Sequence, residues 1–286
     1  MKALGFLCGA LATAGAALAQ GVDGSGIIVL NRHADSALEL SGNSTVHIAT
    51  RAVYVNSDSA QALRTVGTAV LDVPRLNIVG GTSFSSNSHV TGEIVRGGAP
   101  VDNPLSSLQF PSSQGMTPLA AVSISGGSVT VQPGYYANGF QVRGNADVTF
   151  APGMYFFGNG LKITAGRITG RGVCFVMLGG TMDIGGTSSF LLSPPESGDW
   201  TGMVISQPAA NASDMNIAGG GSFVLMGAIY APAARACLTG SSSSGEGPHM
   251  GDLVIADRVK LSGTADIVIG GGNLQAVVPP RMPLYD

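Results

Sequence analysis

Charge is scarce in this sequence, and that scarcity is the first constraint on what the chain can be. Only 11% of its 286 residues are Asp, Glu, Lys or Arg, and the formal net charge is -3. No basic stripe is present to track a phosphate backbone and no polybasic cluster to hold an anionic bilayer, so neither nucleic acid nor a lipid headgroup is an expected partner. Lys, Glu and long runs of helix formers are also few, which argues against an α-rich fold. Several chemistries lack their signatures. His33, His47, His89 and His249 are scattered without metal-ligand spacing and no Cys-x-x-Cys occurs, so no metal or cofactor is expected. There is no G-x-S-x-G elbow and no GGxGxD calcium repeat, and the Gly runs at 219–221 and 270–272 lack a following helix that would hold phosphate.

What the chain has in plenty is glycine, 43 residues of it, set among Ala, Val, Ile, Leu, Ser and Thr. It opens with MKALGFLCGALATAGAALAQ, one Lys, an apolar run and Ala17-Leu18-Ala19, the layout of a secretory signal peptide with cleavage expected after Ala19. Gly, Ala and Thr interrupt the run too often for a bilayer span of about 20 apolar residues, and bulky Leu7 before Cys8 does not suit a lipoprotein site. The mature chain is therefore expected to start at Gln20 and to be secreted, periplasmic, extracellular or held at the cell surface, without stable membrane insertion. In an oxidising compartment Cys174 and Cys237 read as a disulfide or as two buried thiols, Cys174 lying within the apolar run VCFVML.

Internal repetition carries the fold. VTVQPGYYANGFQV at 129–142 is followed by VTFAPGMYFFGNGLKI at 148–163. Val129 maps to Val148, Pro133 to Pro152, Gly134 to Gly153 and Tyr136 to Tyr155; after a two-residue insertion Gly139 maps to Gly160 and Val142 to Ile163. A looser unit, small polar residues around Gly leading into a short alternating strand, recurs as SGNSTVHI (41–48), SGGSVTV (125–131), GNADVTF (144–150), GGTSSFLL (185–192), GGGSFVLM (219–226) and SGTADIVI (262–269). Strands this short bury too little alone, whereas parallel stacking on like neighbours gives a ladder and a shared narrow core. The expected fold is all-β, a right-handed parallel β-helix with Gly and Pro corners. An antiparallel sandwich is the competing architecture, disfavoured by a repeat near 20 residues and by few hairpin dipeptides. Four segments are expected: a leader over 1–19, N-terminal coils with a long loop over 20–118, regular coils over 119–278, and a tail over 279–286. The region from Ser57 to Thr117 is less regular; NIVGGTSF and VTGEIV read as strands, and GAPVDNPLSSLQFPSSQGMTP as a loop anchored on the solenoid flank by Leu105, Leu108 and Phe110.

The order of several motifs resembles the β-helical region of TadE/TadG-like proteins associated with Flp, or tight-adherence, pilus assembly. The motifs are SGNSTVHI, AVYVNSDSAQAL (52–63), NIVGG (77–81), PVDNPLSSL (100–108), the paired PG-x-Y coils, TGRGVCFVML (169–178), SPPESGDWTGMVISQ (193–207), VLMGAIYAP (224–232) and LVIADRVKLSGTADIVI (253–269). They span nearly the whole mature chain. That group commonly retains an N-terminal membrane helix where this chain has a cleavable leader. The resemblance implies a secreted Gly-rich solenoid of surface or adhesion context and transfers no catalytic residue.

Parallel β-helices can also carry polysaccharide hydrolases and lyases, which need converging carboxylates or acidic Ca²⁺ ligands beside a base. Asp147, Asp183, Asp199, Asp214 and Asp266 are isolated by neutral stretches, and Asp147 and Asp266 read as turn residues. Asp252 and Asp257, with Arg258 and Lys260, are the densest charged group and the candidate acid, base or sugar contacts. Trp200, with Tyr135, Tyr136, Tyr155, Phe156 and Phe157, is a candidate glycan or partner platform, or flank packing. Thr130 and Thr149 align, but no longer threonine series is evident. SSSSGEG at 241–247 reads as a mobile loop, and the prolines of VVPPRMPLYD as a C-terminal stop. Head-to-tail self-association through the ladder ends, or contact with other surface proteins or glycans, is the expected partnership for a non-catalytic module.

Overall fold

The computed structural model describes residues 25–48, 51–186, 188–220, 222–241 and 247–270. The expected leader, the C-terminal stop and most of the SSSSGEG loop lie outside the described residues. Among the described residues there is no helix, and the strands form two sheets of eighteen and ten. The larger sheet makes two faces of one solenoid. Its strands Ala228–Gly240 and Leu253–Gly263 are long enough to bend at a corner, pairing from Ala228↔Leu253 to Ala231↔Ala256 and, after a register shift, from Arg235↔Arg258 to Gly240↔Gly263. The ten-stranded sheet is the third face and gives one strand per turn, so the chain is a parallel β-helix of ten turns.

Period-2 alternation places every second side chain inside. On the second face Ile163, Ile184, Ile217, Leu238, Leu261 and Leu40 stand in register in consecutive turns, none more than 3% exposed. Part of the interior is aromatic. Phe150 meets Tyr155 and Phe175 edge-on at centroid distances of 5.0 and 4.9 Å, the geometry that the ring quadrupole favours.

All six copies of the looser repeat fall at one place, the corner into the third face and the strand after it, as in Thr45–His47, Asp147–Phe150 and Phe223–Leu225. The tighter repeat needs a correction in register. Val129 pairs with Val148, as expected, but Gly134 pairs with Tyr155 and Tyr136 with Phe157. The two extra residues are therefore absorbed at the corner after Phe150 rather than beyond Tyr136. What the PG-x-Y likeness records is a local corner device: Tyr136 Oη donates to the Gln132 carbonyl and Tyr155 Oη to the Ala151 carbonyl, both at 2.6 Å. Each hydroxyl satisfies the carbonyl four residues earlier, so a buried ring carries no orphaned polar atom.

The stretch after Ser57 is regular as far as Arg96, and the loop expected beyond it carries no strand up to Val122. Leu63–Gly67, Val70–Asp72 and Arg75–Ile78 take the second, third and first faces in succession, with Leu63, Leu71 and Leu76 all buried. The corner Gly67-Thr68-Ala69 repeats Gly263-Thr264-Ala265, a further copy of the looser unit that the sequence comparison left out.

The turns do not follow chain order along the axis. Ser25–Val29 lies between Ala52–Val55 and Leu253–Gly263, and Leu38–Gly42 between Leu63–Gly67 and the same last long strand. The first turn thus stacks on the last. From there the early turns wind outward to Glu93–Arg96, a connector over 97–121 returns along the flank, and Val122–Ile124 begins the opposite end. Ten turns at about 4.8 Å each span roughly 50 Å, within the reach of 25 extended residues at about 3.3 Å apiece. Joining residue 270 to residue 25 and cutting the connector would give an ordinary uninterrupted solenoid.

A glycine column locks this junction. Gly219, Gly240, Gly263, Gly42 and Gly67 stack in register. Gly42 has φ of 95°, and a Cβ added there would stand 2.2 Å from the Gly263 carbonyl oxygen. Gly42→Ala is expected to cost at least about 2 kcal/mol, from the left-handed backbone and the clash together. Urea unfolding checks this; a midpoint within error of the parent would show that the column tolerates a methyl group.

Candidate functional site

Each face presents a different outer surface. On the first, the outward row runs Tyr135, Phe156, Val176, Ser206, Tyr230 and Ile255, continuing into Ile28 and Tyr54 across the junction. Such an apolar exterior needs a cover, and the connector supplies it. Leu105 and Leu108 are buried against this row, with Val101, Phe110 and Met116 packed beside them. Asn56 clamps the connector at both backbone atoms of Val101, donating to its carbonyl and accepting from its N–H at 2.8 Å each. Tyr230 accepts from Asn103 Nδ2 at 2.9 Å and stacks on Phe110 at 5.8 Å. The anchors expected in Leu105, Leu108 and Phe110 are thus the ones the structure uses.

Trp200 belongs to the same assembly. Its ring lies 6.0 Å from Phe110 at an interplanar angle of 50° and is partly buried. The other platform residues separate: Tyr135 is half-buried at the connector's end, whereas Tyr136 points into the core with 5% exposure, where no ligand reaches it. Tyr155 and Phe157 are core residues, and Phe156 lies under the connector. The aromatics do not form one exposed platform.

The charged candidates are also dispersed. Asp252 sits at the corner between the third and first faces, 4% exposed; its Oδ2 accepts from Gly227 N at 2.6 Å and its Oδ1 lies 3.5 Å from His249 Nε2. Asp257, at the next corner, accepts from Asn31 Nδ2 at 3.0 Å and thereby ties the last turn to the first. Lys260 points outward from the second face and pairs with Glu39 at 2.9 Å across the same junction. The three therefore stand at three separate places, each fastened to a neighbouring turn. Among the described residues no three His, Cys, Asp or Glu side chains form a metal-holding group.

The isolated acids have similar employment. Asp183 accepts from Asn216 Nδ2 at 2.7 Å, Asp214 from Arg235 at 2.5 Å, and Asp266 from Thr45 N at 2.9 Å. On the third face His47 Nδ1 lies 3.0 Å from Asp72, with Asp266 at 3.6 Å on its other nitrogen. That row also contains a longer threonine series than the sequence suggested. Thr169 follows Thr149, hydroxyls 3.1 Å apart, before Leu191 replaces the pattern.

Among the described residues Cys174 and Cys237 are free thiols, so a disulfide between them gives way to unpaired thiols. Cys174 is wholly buried under the connector on the first face, and Cys237 stands half-buried on the second between Asn216 and Lys260. They point out of different faces and do not meet.

One feature escaped the sequence reading. A shallow cleft of about 400 Å³ on the second face is lined by Asn138, Asn159, Gln141, Lys162, Thr181 and Asp183, with glycines 139 and 160 between them. Register alone reveals it, because Gln141, Lys162 and Asp183 become a row only once the turns are aligned. Comparisons with protein-family models, curated proteins and solved structures give no match for this chain.

Two predictions follow from these contacts. Burial raises both thiols above their ordinary pKa, Cys174 most, and the thiolate is the reactive form. Cys237 should alkylate slowly in the native protein and faster as pH rises, and Cys174 only in denaturant; rapid native labelling of both would contradict the packing of the connector. Asp72 is held below its ordinary value of 3.8, first by the Thr91 hydroxyl and then by His47. Because the folded pKa is the lower one, its contribution is complete above the ordinary carboxylate range and is lost as pH falls through the folded value. The difference in urea midpoint between the parent and Asp72→Asn should thus be largest above about pH 5 and close in stronger acid; a difference that ignores pH would refute it.

Proposed function

We propose that the chain is an exported, non-catalytic structural module of adhesion or pilus-associated surfaces. The observation that carries this reading is how its polar side chains are spent. Asp252, Asp257, Lys260, Asp183 and Asp72 each fasten one turn to the next or hold a corner, and the apolar flank is sealed by the chain's own connector. Hydrolysis or elimination calls instead for carboxylates or a base converging on one substrate position. The motif order shared with TadE/TadG-like proteins supports the surface context, and the leader-like N-terminus supports export.

The test is a degradation screen on plant, algal and bacterial polysaccharides, with and without Ca²⁺. No shortened product is expected. Chain cleavage that Asp257→Asn abolishes would overturn the non-catalytic reading. Intact mass of the exported protein should correspond to a start at Gln20; an uncleaved leader would overturn the secreted form.

The cleft favours one second reading, glycan contact. Its amides, hydroxyl, lysine and carboxylate can exchange hydrogen bonds with sugar hydroxyls, so retention on a glycan array should fall with Gln141→Ala or Lys162→Ala and survive Trp200→Ala. Loss with Trp200→Ala alone would move the contact to the flank.

A further inference from the structure

The two ends of the solenoid differ in chemistry. At the end formed by the early turns the inner column finishes in hydroxyls. Thr65 and Ser88, 5% and 8% exposed, bond to each other and to Ser85 where other turns place aliphatic side chains. Two of the last strands there, Thr82–Ser83 and His89–Val90, are two residues long, and the third, Glu93–Arg96, has a charge at each end. Charges surround them: Arg75 lies 3.8 Å from Glu93, and Arg96 donates to Thr82 at 3.0 Å. Phe84 is 37% exposed amid this group. Short strands and charge are the means by which a ladder edge is kept from pairing.

The opposite end lacks the charge. From Asn103 to Val142 the sequence contains no Asp, Glu, Lys, Arg or His, so the terminal turn and the first two strands of the next, Gly134–Tyr136 and Phe140–Val142, are uncharged. Leu119 and Val129 are 39% and 37% exposed there. Val129 stands in register above Val148, which is fully buried; it is a core side chain with no turn above it. Asp147 N donates to the Gly127 carbonyl and Ala151 N to the Val131 carbonyl. In a parallel ladder alternate residues serve alternate neighbours, so Ser128 and Thr130 direct their N–H and C=O groups to the outer edge. Among the described residues no strand pairs with that edge, and Ser128–Val131 has no proline, charge or register shift to blunt it.

We propose that this end is a self-association surface through which two copies join end to end about a two-fold axis, with Ser128–Val131 antiparallel to the same strand of the second copy. Identical uncharged edges meet without charge mismatch, whereas stacking on the opposite end would set this apolar turn against Arg75, Glu93 and Arg96. With the axis at Val129, Ser128 of each copy faces Thr130 of the other, and those are the residues whose backbone groups point outward. The two Val129 side chains then cover one another. The outcome is a closed dimer rather than a head-to-tail fibre, because an isologous contact consumes the surface it uses. The inference stands independently of the surface role proposed above.

Light scattering with size exclusion on the mature chain, from roughly 1 to 500 μM, should show a concentration-dependent monomer–dimer equilibrium with nothing larger. Thr130→Lys, an exposed position whose N–H serves no internal ladder bond, should weaken dimerisation at least tenfold, and His89→Lys at the other end should leave it unchanged. Val129→Cys in a Cys237→Ser background should give a covalent dimer on oxidation, since facing residues in a non-hydrogen-bonded antiparallel pair lie close enough to bridge. This arm keeps the test valid if Thr130→Lys impairs folding, which circular dichroism will report. A monomer at every concentration, growth beyond a dimer, or weakening by His89→Lys equal to that by Thr130→Lys would each overturn the proposal. Association that persists in Thr130→Lys while Val129→Cys fails to cross-link would assign self-association to another surface and overturn it too.

Discussion

The structure depends on one non-covalent contact, the stacking of the first turn on the last. Everywhere else a turn is tied to its neighbour by the chain itself; here only the ladder, the inner column and a few side chains hold the solenoid together. Leu38 and Leu40 continue the column of Val259 and Leu261, and Val46 that of Ile267, all at most 1% exposed. Outside, Glu39–Lys260, Asn31–Asp257 and His47–Asp266 cross the same boundary. Exposed ion pairs contribute little to stability, typically under 1 kcal/mol each, so the apolar column and the backbone ladder carry the affinity. The polar pairs act on register: a slip of one residue would turn the whole inner set outward, and it would break all three at once.

That contact also explains what could be read from the sequence. SGNSTVHI and SGTADIVI lie 221 positions apart (262 − 41), yet Ser41 pairs with Ser262, Gly42 with Gly263 and Val46 with Ile267. Their likeness is that of adjacent rungs which share a corner geometry and a stacking partner. The parallel β-helix was legible because this corner recurs with Gly and small polar residues wherever the third face begins. The order of the turns was not, because a local repeat does not say which rung lies above which. The same limit explains the register error at Tyr136: the PG-x-Y device is set by a hydroxyl reaching four residues back along its own chain, and it moves with its corner regardless of the strand below. Thr169 was missed for the same reason, since its alignment with Thr149 appears only in the ladder.

The candidate site was less legible than the fold. Proximity in sequence grouped Asp252, Asp257 and Lys260, but a solenoid corner separates residues five apart onto different faces, while the neighbours that matter lie one turn away. Asp257 meets Asn31 and Lys260 meets Glu39, and neither partner is near in sequence. By contrast, the burial of Leu105, Leu108 and Phe110 followed from composition alone, because apolar side chains in a Pro- and Ser-rich loop need a surface to cover. What they cover is the outward row of the first face, whose Phe156, Val176 and Ile255 would be a liability in an uncovered solenoid.

The permuted order of turns finally brings residues 25 and 270 together. Gly26 and Gly270 both lie beside Arg51: a Cβ built at the first would be 3.4 Å from Arg51 Cβ, and one built at the second 3.4 Å from Arg51 Cδ. Residues 25 and 270, between which the described turns run, therefore lie on the same flank, part-way along the axis. In a solenoid wound in simple order the two residues would stand at opposite ends. Here the connector does the work of linking the ends, and it lies along a face rather than across an edge. Residues 25 and 270 thus stand away from both the charged, hydroxyl-plugged end and the neutral, apolar end. That placement comes from the same first-on-last contact that closes the fold.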